Sequence, residues 1–341
     1  MRMRLPLIAG AICLLAATQS QALDAVRKTS GPTASGTISK MTATEITVDK
    51  NVGGSETISV ADVDEVQYDK EPTQLKGARR DIDNGSFDAA LAQLDKIDAA
   101  SLTRGEVQAD VQFYKAYCQA KLALAGGGDI RAAGKAMAEF VSKHPNNYHF
   151  YPANEAVGDL LVKLGQFDAA KPYYDTLDKS PFPEYKARAG IALGRSLMAQ
   201  NKFADASKQF DTVLSLGGKA GALPDSQRLA ATLGKADCLA HEKKADEGIK
   251  MVQEVIAGAD PENAAIMAQA YLTLGNCYLN KPDCEKDALL AFLHVDVLYF
   301  SQPQAHAEAL KRLGTLWNEL NKPERAMQAQ QTLKERYGLG G

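Results

Sequence analysis

Residues 271–278 read YLTLGNCY, a stretch in which large apolar residues recur at helical spacing around a single glycine. Tyr271, Leu274 and Tyr278 are three and four positions apart, so they share one face of an α-helix. Residues 288–292 read ALLAF, with a small residue four positions before a large one. Two short helices, each with one apolar face, predict a helical hairpin here.

The Leu-Gly pair of this stretch recurs along the chain at nearly constant spacing. Copies begin at Leu193, Leu233, Leu274 and Leu313, and Val157-Gly158 is a fifth, so the separations are 36, 40, 41 and 39 residues. Four copies are followed by a small residue and then, four positions on, by a larger one: Ala170 and Tyr174, Ala206 and Phe210, Ala288 and Phe292, Ala326 and Gln330. Recurrence at a fixed period predicts a solenoid of stacked units.

The repeated unit resembles the tetratricopeptide repeat (TPR), a helical hairpin with Trp-x-x-Leu-Gly-x-x-Tyr in its first helix and Ala-x-x-x-Phe in its second. Seven units are countable, beginning near residues 71, 105, 151, 187, 227, 268 and 307. The fifth departs from the pattern, because Gly248 takes the alanine place and a longer hairpin loop is expected over residues 241–244. The resemblance implies a mainly α fold, an α-α helical-hairpin solenoid (TPR superhelix) over residues 71–341.

Residues 23–70 have a different hydrophobic pattern, in which apolar and polar residues alternate at period two in EITV (45–48) and ETISV (56–60). This alternation predicts four or five short strands separated by turn clusters. Their order resembles a small SH3-like or Sm-like barrel, so we expect a small β-barrel-like domain before the solenoid. A sheet of this size buries little apolar area, and we expect it to pack on the first helices.

The first 22 residues are typical of a secretory signal peptide. Arg2 and Arg4 precede an apolar run over residues 5–17, and Ser20 and Ala22 suit the minus-three and minus-one sites of a signal peptidase. The alternative is a retained membrane anchor, but the run is shorter than the roughly 20 residues that span a bilayer. We therefore predict cleavage after Ala22, secretion across the inner membrane and a periplasmic, bacterial protein without a transmembrane span.

Composition argues against nucleic-acid binding. Lys plus Arg total 39 and Asp plus Glu total 42, so the chain lacks the basic excess that phosphate recognition requires. Sm-like barrels suggest RNA, yet residues 24–70 carry five basic and eight acidic side chains. We therefore expect no nucleic-acid partner.

The sequence offers little material for a catalytic or metal centre. No phosphate-binding loop, nucleophile elbow or zinc-protease motif is present, and the five histidines are scattered without ligand spacing. Carboxylates abound, but in helical repeats they usually decorate solvated faces. We expect no cofactor, no metal and no enzymatic activity.

Four cysteines follow the predicted cleavage site. Cys277 ends one predicted helix and Cys284 begins the next, so a disulfide between them would close the hairpin loop. Buried free thiols at helix contacts are the alternative, and Cys118 and Cys238 fit that description. The sequence leaves both readings of Cys277 and Cys284 open.

The resemblance to TPR proteins also implies a concave groove lined by the first helix of each unit. Transferring the family's groove positions onto this chain gives seven candidates: Glu155, Asp159, Arg195, Lys235, Asn276, Lys311 and Thr315. The middle of this stripe is cationic and amide-bearing, similar to members that hold a peptide carboxylate. Solvated side chains with no partner are the alternative.

These features predict a non-catalytic exported scaffold, expected to be a monomer, that binds a protein or peptide partner in its groove. The similarity in kind to exported TPR proteins implies a role in cell-envelope assembly or maintenance. The alternative is a glycan-binding or cell-wall-binding accessory protein. Such a groove would be expected to show more exposed tryptophan than this chain, which has one.

Overall fold

The structure is a computed structural model that describes residues 23–216 and 223–337. The predicted signal peptide, residues 1–22, lies outside the described residues. Within them, five β-strands are followed by fourteen α-helices. No described helix is long and apolar enough to span a membrane.

The strands are β1 (Asp24–Lys28), β2 (Ala34–Met41), β3 (Glu45–Asp49), β4 (Ser55–Ser59) and β5 (Val63–Gln67). The helices are α1 (Thr73–Asp83), α2 (Phe87–Leu94), α3 (Gly105–Leu124), α4 (Ile130–Lys143), α5 (Phe150–Lys163), α6 (Phe167–Asp178), α7 (Pro183–Ala199), α8 (Phe203–Leu216), α9 (Asp225–His241), α10 (Ala245–Gly258), α11 (Ala264–Leu279), α12 (Glu285–Leu298), α13 (Pro303–Glu319) and α14 (Pro323–Tyr337).

The strands form one antiparallel sheet in the order β4-β3-β2-β1-β5. The first part of β2 pairs with β1 and the second part pairs with β3, so β2 bends between them. Lys28 Nζ on β1 lies 2.8 Å from Glu56 Oε1 on β4, although β2 and β3 separate these strands in the sheet. The sheet therefore curls toward a barrel and encloses an apolar interior.

The helices pair into seven antiparallel hairpins, α1 with α2 through α13 with α14, which confirms the predicted helical-hairpin solenoid. The first helix of each hairpin contacts the first helix of the next, from α1 with α3 to α11 with α13. Second helices make no contacts of comparable extent in the described residues. The array therefore curves with its first helices on the concave side.

Four of the five repeated glycines mark places where a first helix meets an aromatic ring, and Gly314, which lies against Gln330, is the exception. A β-carbon at Gly158 would lie 2.5 Å from the ring of Tyr174, and one at Gly275 would lie 2.5 Å from the ring of Phe292. Those distances are too short for any side chain, so glycine is required for the ring to be buried. The glycine of the Leu-Gly motif in the first helix thus packs against the aromatic residue of the Ala-x-x-x-Phe motif in the second helix.

The fifth hairpin corrects the repeat register read from the sequence. Helices α7 and α9 each have 17 residues and begin 42 positions apart, not 40. The equivalent of Gly194 is therefore Ala236, whose carbonyl oxygen would lie 2.5 Å from a β-carbon at Gly248 on α10. Gly234 instead packs against the ring of Phe210 on the preceding helix, α8.

The longer hairpin loop predicted over residues 241–244 is also wrong. Residues 242–244 connect α9 to α10, as many as the three that connect α7 to α8. The additional length lies between Leu216 and Asp225, in the connection between hairpins. A Leu-Gly pair at nearly the expected spacing concealed this shift.

The sheet packs on the first hairpins through a shared apolar cluster that includes Val26, Ile46, Leu75 and Val111. Beside this cluster lies Asp110 of α3, whose side chain is fully buried. Its carboxylate accepts hydrogen bonds from the hydroxyls of Tyr68 at 3.2 Å and Tyr148 at 3.0 Å, and from Arg79 Nη2 at 3.0 Å. Since Tyr68 follows β5, this polar joint fixes the sheet to the solenoid.

The last hairpin ends the array with a polar residue at the ring position. Gln330 lies against Gly314 where earlier repeats have Tyr174, Phe210 and Phe292. The rings at those positions are covered by the next first helix, whereas the described residues include no hairpin after α14. An amide at this position tolerates contact with solvent.

Candidate functional site

A cavity of about 270 Å³ opens between the first helices α5, α7 and α9. Its walls combine charged and apolar side chains: Glu155, Asp159, Val162, Tyr174, Arg188, Ile191, Ala192, Arg195, Ser226, Gln227 and Ala230. Three predicted groove residues, Glu155, Asp159 and Arg195, are thus brought together. They lie on the concave side because α5, α7 and α9 are the inner helices.

Most of the charge in this cavity is already paired. Arg188 donates to Glu155, with Nε 3.1 Å from Oε1 and Nη2 also bonded to Oε2. The hydroxyl of Tyr174 donates to Asp159 Oδ1 at 2.8 Å. Arg195 is exposed, and no described carboxylate forms an ion pair with it. Arg195 is therefore the cation of this cavity that is free to meet an anionic group.

Asp159 has an altered acidity. Burial raises the pKa of its carboxyl from 3.8 to about 6, and the neighbouring negative charge of Glu155 adds to the increase. The hydrogen bond from Tyr174 and the charges of Lys121 and Arg195 oppose it. The cavity can thus gain a proton in a mildly acidic environment.

An aromatic cluster borders the cavity at the end nearer the sheet. The guanidinium of Arg188 lies 5.2 Å from the ring centre of Tyr185, which is 4.9 Å from that of Tyr151. Ala43, in the turn between β2 and β3, packs against this cluster. The sheet therefore contacts the inner helices next to the cavity and supports this end of the groove.

Lys235 lies apart from the cavity. Its Nζ is 2.5 Å from Asp211 Oδ1 on α8, in a depression bordered by α8 and α10. The register shift of α9 explains this position, because two residues change the direction of a helical side chain by about 200°. Asp237 takes the place equivalent to Arg195, seven residues after Ala230 of the cavity wall.

The remaining predicted groove residues lie further along the array. Asn276 is half-buried on α11, and its side-chain oxygen has no hydrogen-bond partner among the described residues. Lys311 and Thr315 line a depression of about 800 Å³ formed by α13 and α14 alone. That depression lies on the end face of the described array, so the seven candidates do not form one continuous site.

Two residues of the groove were missed by the sequence analysis, Arg188 and Asp237. Arg188 lies seven positions before Arg195, a spacing that places both on one helix face and could have identified it. Asp237 was hidden by the register error in the fifth hairpin. The concave stripe therefore runs Asp159, Arg195, Asp237, Asn276, which is less cationic than the sequence predicts.

The four described cysteines are free thiols. Cys277 is buried and its Sγ donates to the carbonyl oxygen of Ala236 at 3.6 Å, so the thiol points toward α9. Cys284 lies at the start of α12, on the other side of the hairpin loop. The Cys277–Cys284 disulfide is therefore not formed in this structure.

No metal-binding constellation is apparent in residues 23–216 and 223–337. No group of three or more His, Cys, Asp or Glu side chains there is placed to hold a metal ion. Two of the histidines stack on aromatic rings, His149 on Phe113 with ring centres 3.7 Å apart and His294 on Tyr271 with ring centres 4.3 Å apart.

Comparison with known proteins agrees with the hairpin geometry. Residues 110–147 and 191–264 match two sequence profiles of the tetratricopeptide repeat. These two segments are therefore identified as tetratricopeptide repeats. The matched segments fall in the second hairpin and across the fourth and fifth, so the TPR unit is recognisable in separate parts of the array. No curated protein matches the chain.

Solved structures show the same TPR architecture. A tetratricopeptide repeat protein from Parabacteroides merdae ATCC 43184 superposes with a TM-score of 0.55 at 17% identity, covering 77% of this chain and 91% of that one. A Rap protein complexed with competence and sporulation factor gives a TM-score of 0.52 at 12% identity, covering 78% of this chain and 75% of that one. At these identities the likeness concerns the fold alone.

Proposed function

We propose that this TPR protein is a non-catalytic scaffold that binds a segment of a partner protein along its concave face. The observation that carries the proposal is the cavity between α5, α7 and α9, in which Arg195 has no ion-pair partner while Glu155 and Arg188 neutralise each other. A groove of paired charges with one free cation suits an extended segment that offers a carboxylate or a carbonyl oxygen.

The rigidity of the site supports this function. The hydrogen bond between Tyr174 and Asp159 and the ion pair between Arg188 and Glu155 fix side chains from three helices before any partner arrives. The sheet braces the same end of the groove through Ala43. A preformed groove loses little conformational entropy on binding, which favours affinity. The Rap relative, solved in complex with competence and sporulation factor, has a comparable fold.

We further propose that the protein is exported and acts in the periplasm, in cell-envelope assembly or maintenance. The charged, apolar and small-residue order of residues 1–22 supports export. The N-terminal segment is proposed to be an SH3-like barrel, supported by the pairing of β1 with both β2 and β5 and by the short 3-10 turn, residues 60–62, before β5. Such a domain would hold the repeats rather than bind RNA.

Crosslinking capture from envelope extract tests the binding groove. Arg195→Glu reverses the free charge in the cavity and should reduce recovery of the dominant partner at least tenfold, because a carboxylate would then meet a like charge. Lys235→Glu is the matched control: it makes the same change after a Leu-Gly pair but between α8 and α10. Capture by this variant should equal that of the unaltered protein.

Three results would contradict the proposal. Equal capture by the Arg195→Glu variant, with unchanged helicity and melting temperature, would remove the cavity from the interface. Recovery of glycan or cell-wall fragments in place of a protein would favour the accessory role in wall binding. A protein that keeps residues 1–22 and stays with the cytoplasmic fraction would refute export.

A further inference from the structure

Besides Gln227 Oε1 in the cavity wall, the inner face of the fifth and sixth hairpins holds two buried oxygen atoms without a donor. Oδ1 of Asp237 on α9 and Oδ1 of Asn276 on α11 are both inaccessible to solvent and have no hydrogen-bond partner among the described residues. A buried acceptor without a donor loses its hydrogen bonds to water and destabilises the folded state, so such atoms are uncommon in folded proteins. Two of them on neighbouring helices indicate a place where a donor belongs.

The two oxygens lie beside the contact between α9 and α11 at Ala236 and Cys277, which we call the seam. Cys277 Sγ donates to the carbonyl oxygen of Ala236 at 3.6 Å, which brings α9 and α11 into contact at these residues. Asp237 follows Ala236 and Asn276 precedes Cys277, so both flank this contact. Asp237 also shares its helix face with Gln227 and Ala230, which line the cavity described above. The seam therefore continues the concave groove toward the C-terminal end.

The basic side chains near Asp237 do not donate a hydrogen bond to its Oδ1. Nε2 of His241 is 3.9 Å from Oδ1 of Asp237, beyond hydrogen-bond distance, and the imidazole stacks flat on Phe203 with ring centres 4.0 Å apart. Arg312 of α13 is close enough to act on Asp237 electrostatically, but its Nε is bound to Glu308 at 3.2 Å. Burial raises the pKa of Asp237, and the influence of His241 and Arg312 opposes this increase.

We propose that the seam between α9 and α11 is a subsite for a lysine or arginine side chain of the bound partner segment, held by Asp237 and Asn276. A carboxylate supplies charge and the adjacent amide oxygen supplies a second acceptor, which together suit an ammonium or guanidinium donor. This inference rests on the proposed binding groove. The groove would then bind an anionic group of the partner at Arg195 and a cationic side chain of the partner at Asp237 and Asn276.

The test uses acetylated, C-terminally amidated dodecapeptides in matched sets. Within each set, a random polar background carries lysine, norleucine or glutamate at one central position, so the three probes differ only in that side chain. The purified protein should be retained at least fivefold more by lysine peptides than by their norleucine partners. In Asp237→Asn, which keeps the shape but removes the charge, this ratio should fall toward one.

Asp225→Asn is the matched control, because it removes an exposed carboxylate from the same helix. It should keep the lysine preference, and equal melting temperatures would show that both variants are folded. Retention of peptides without a lysine preference, or a preference that survives Asp237→Asn, would overturn the subsite while leaving the groove. Retention of no peptide at all would count against the groove itself and the subsite with it.

Discussion

At the scale of a single residue, Asp159 should make the stability of the protein depend on pH. Its folded-state pKa is about 6, above the usual 3.8, so the folded protein favours the protonated form. The extra stability that the proton gives the folded state is fully present below pH 3.8 and is lost as the pH rises through about 6. Relative to Asp159→Asn, which has no such proton, the unaltered protein should lose roughly 2–3 kcal/mol between pH 4 and pH 7.

Urea unfolding of both proteins at pH 4 and pH 7 measures this difference. Asp225→Asn again supplies an exposed control position, and its offset from the unaltered protein should be similar at the two pH values. The burial of Asp159 would be refuted if the offset of Asp159→Asn were also independent of pH. The resemblance to TPR proteins placed Asp159 in the groove, but its raised pKa comes first from burial, which follows from the packing of the helices around it.

At the scale of a hairpin, two glycines in the same repeat position should respond in opposite ways to alanine. At Gly275 the added methyl group would lie 2.5 Å from the ring of Phe292, which is buried and cannot retreat. At Gly314 its nearest neighbour is Gln330 Cγ at 3.5 Å, an ordinary contact. Overpacking should make Gly275→Ala less stable by about 1–3 kcal/mol. Gly314→Ala should gain up to about 1 kcal/mol from helix propensity.

Thermal or urea denaturation of the two variants in parallel measures both effects, and each variant serves as the other's control. A loss of similar size at Gly314 would show that the glycine is needed for its backbone and not for the neighbouring ring. A Gly275→Ala protein as stable as the unaltered one would mean that Phe292 can move aside.

The same scale shows how far the sequence could predict the fold. Leu-Gly and Ala-x-x-x-Phe identify hairpins because they are the two halves of one local contact, and local contacts leave a periodic trace. Gly234 belongs to a Leu-Gly pair at nearly the expected spacing, but it does not make the contact within its own hairpin, because it packs against Phe210 of the preceding hairpin. The error moved Lys235 into the predicted groove and hid Asp237. Spacing alone cannot distinguish a longer hairpin loop from a longer connection between hairpins.

At the scale of the whole molecule, the sheet is joined to the solenoid by residues far apart in sequence. Tyr68, Arg79 and Tyr148 all donate to Asp110, across separations of 31 to 42 positions. Burial of Asp110 therefore leaves no periodic trace, and an aspartate within a helix reads as a solvated residue. The sequence could predict two differently built parts, but their connection follows from the assembled core.

Removing the carboxylate at this joint should damage one end of the molecule more than the other. Asp110→Ala leaves Arg79 buried with Glu71 as its remaining close partner, and breaking a buried ionic network of this kind costs roughly 3–5 kcal/mol. Each hairpin contacts mainly its neighbours, so the loss should be concentrated in the sheet and first hairpins. The single tryptophan, Trp317, lies on α13 at the opposite end.

Urea unfolding followed by two probes separates the ends. Far-UV circular dichroism of Asp110→Ala should begin to fall at lower urea than in the unaltered protein, while the Trp317 emission midpoint should change little. Lys40→Ala, which breaks the exposed pair with Glu45 on the sheet, is the control and should cost less than about 1 kcal/mol. Equal shifts of both probes in Asp110→Ala would instead mean that the seven hairpins and the sheet unfold as one cooperative unit.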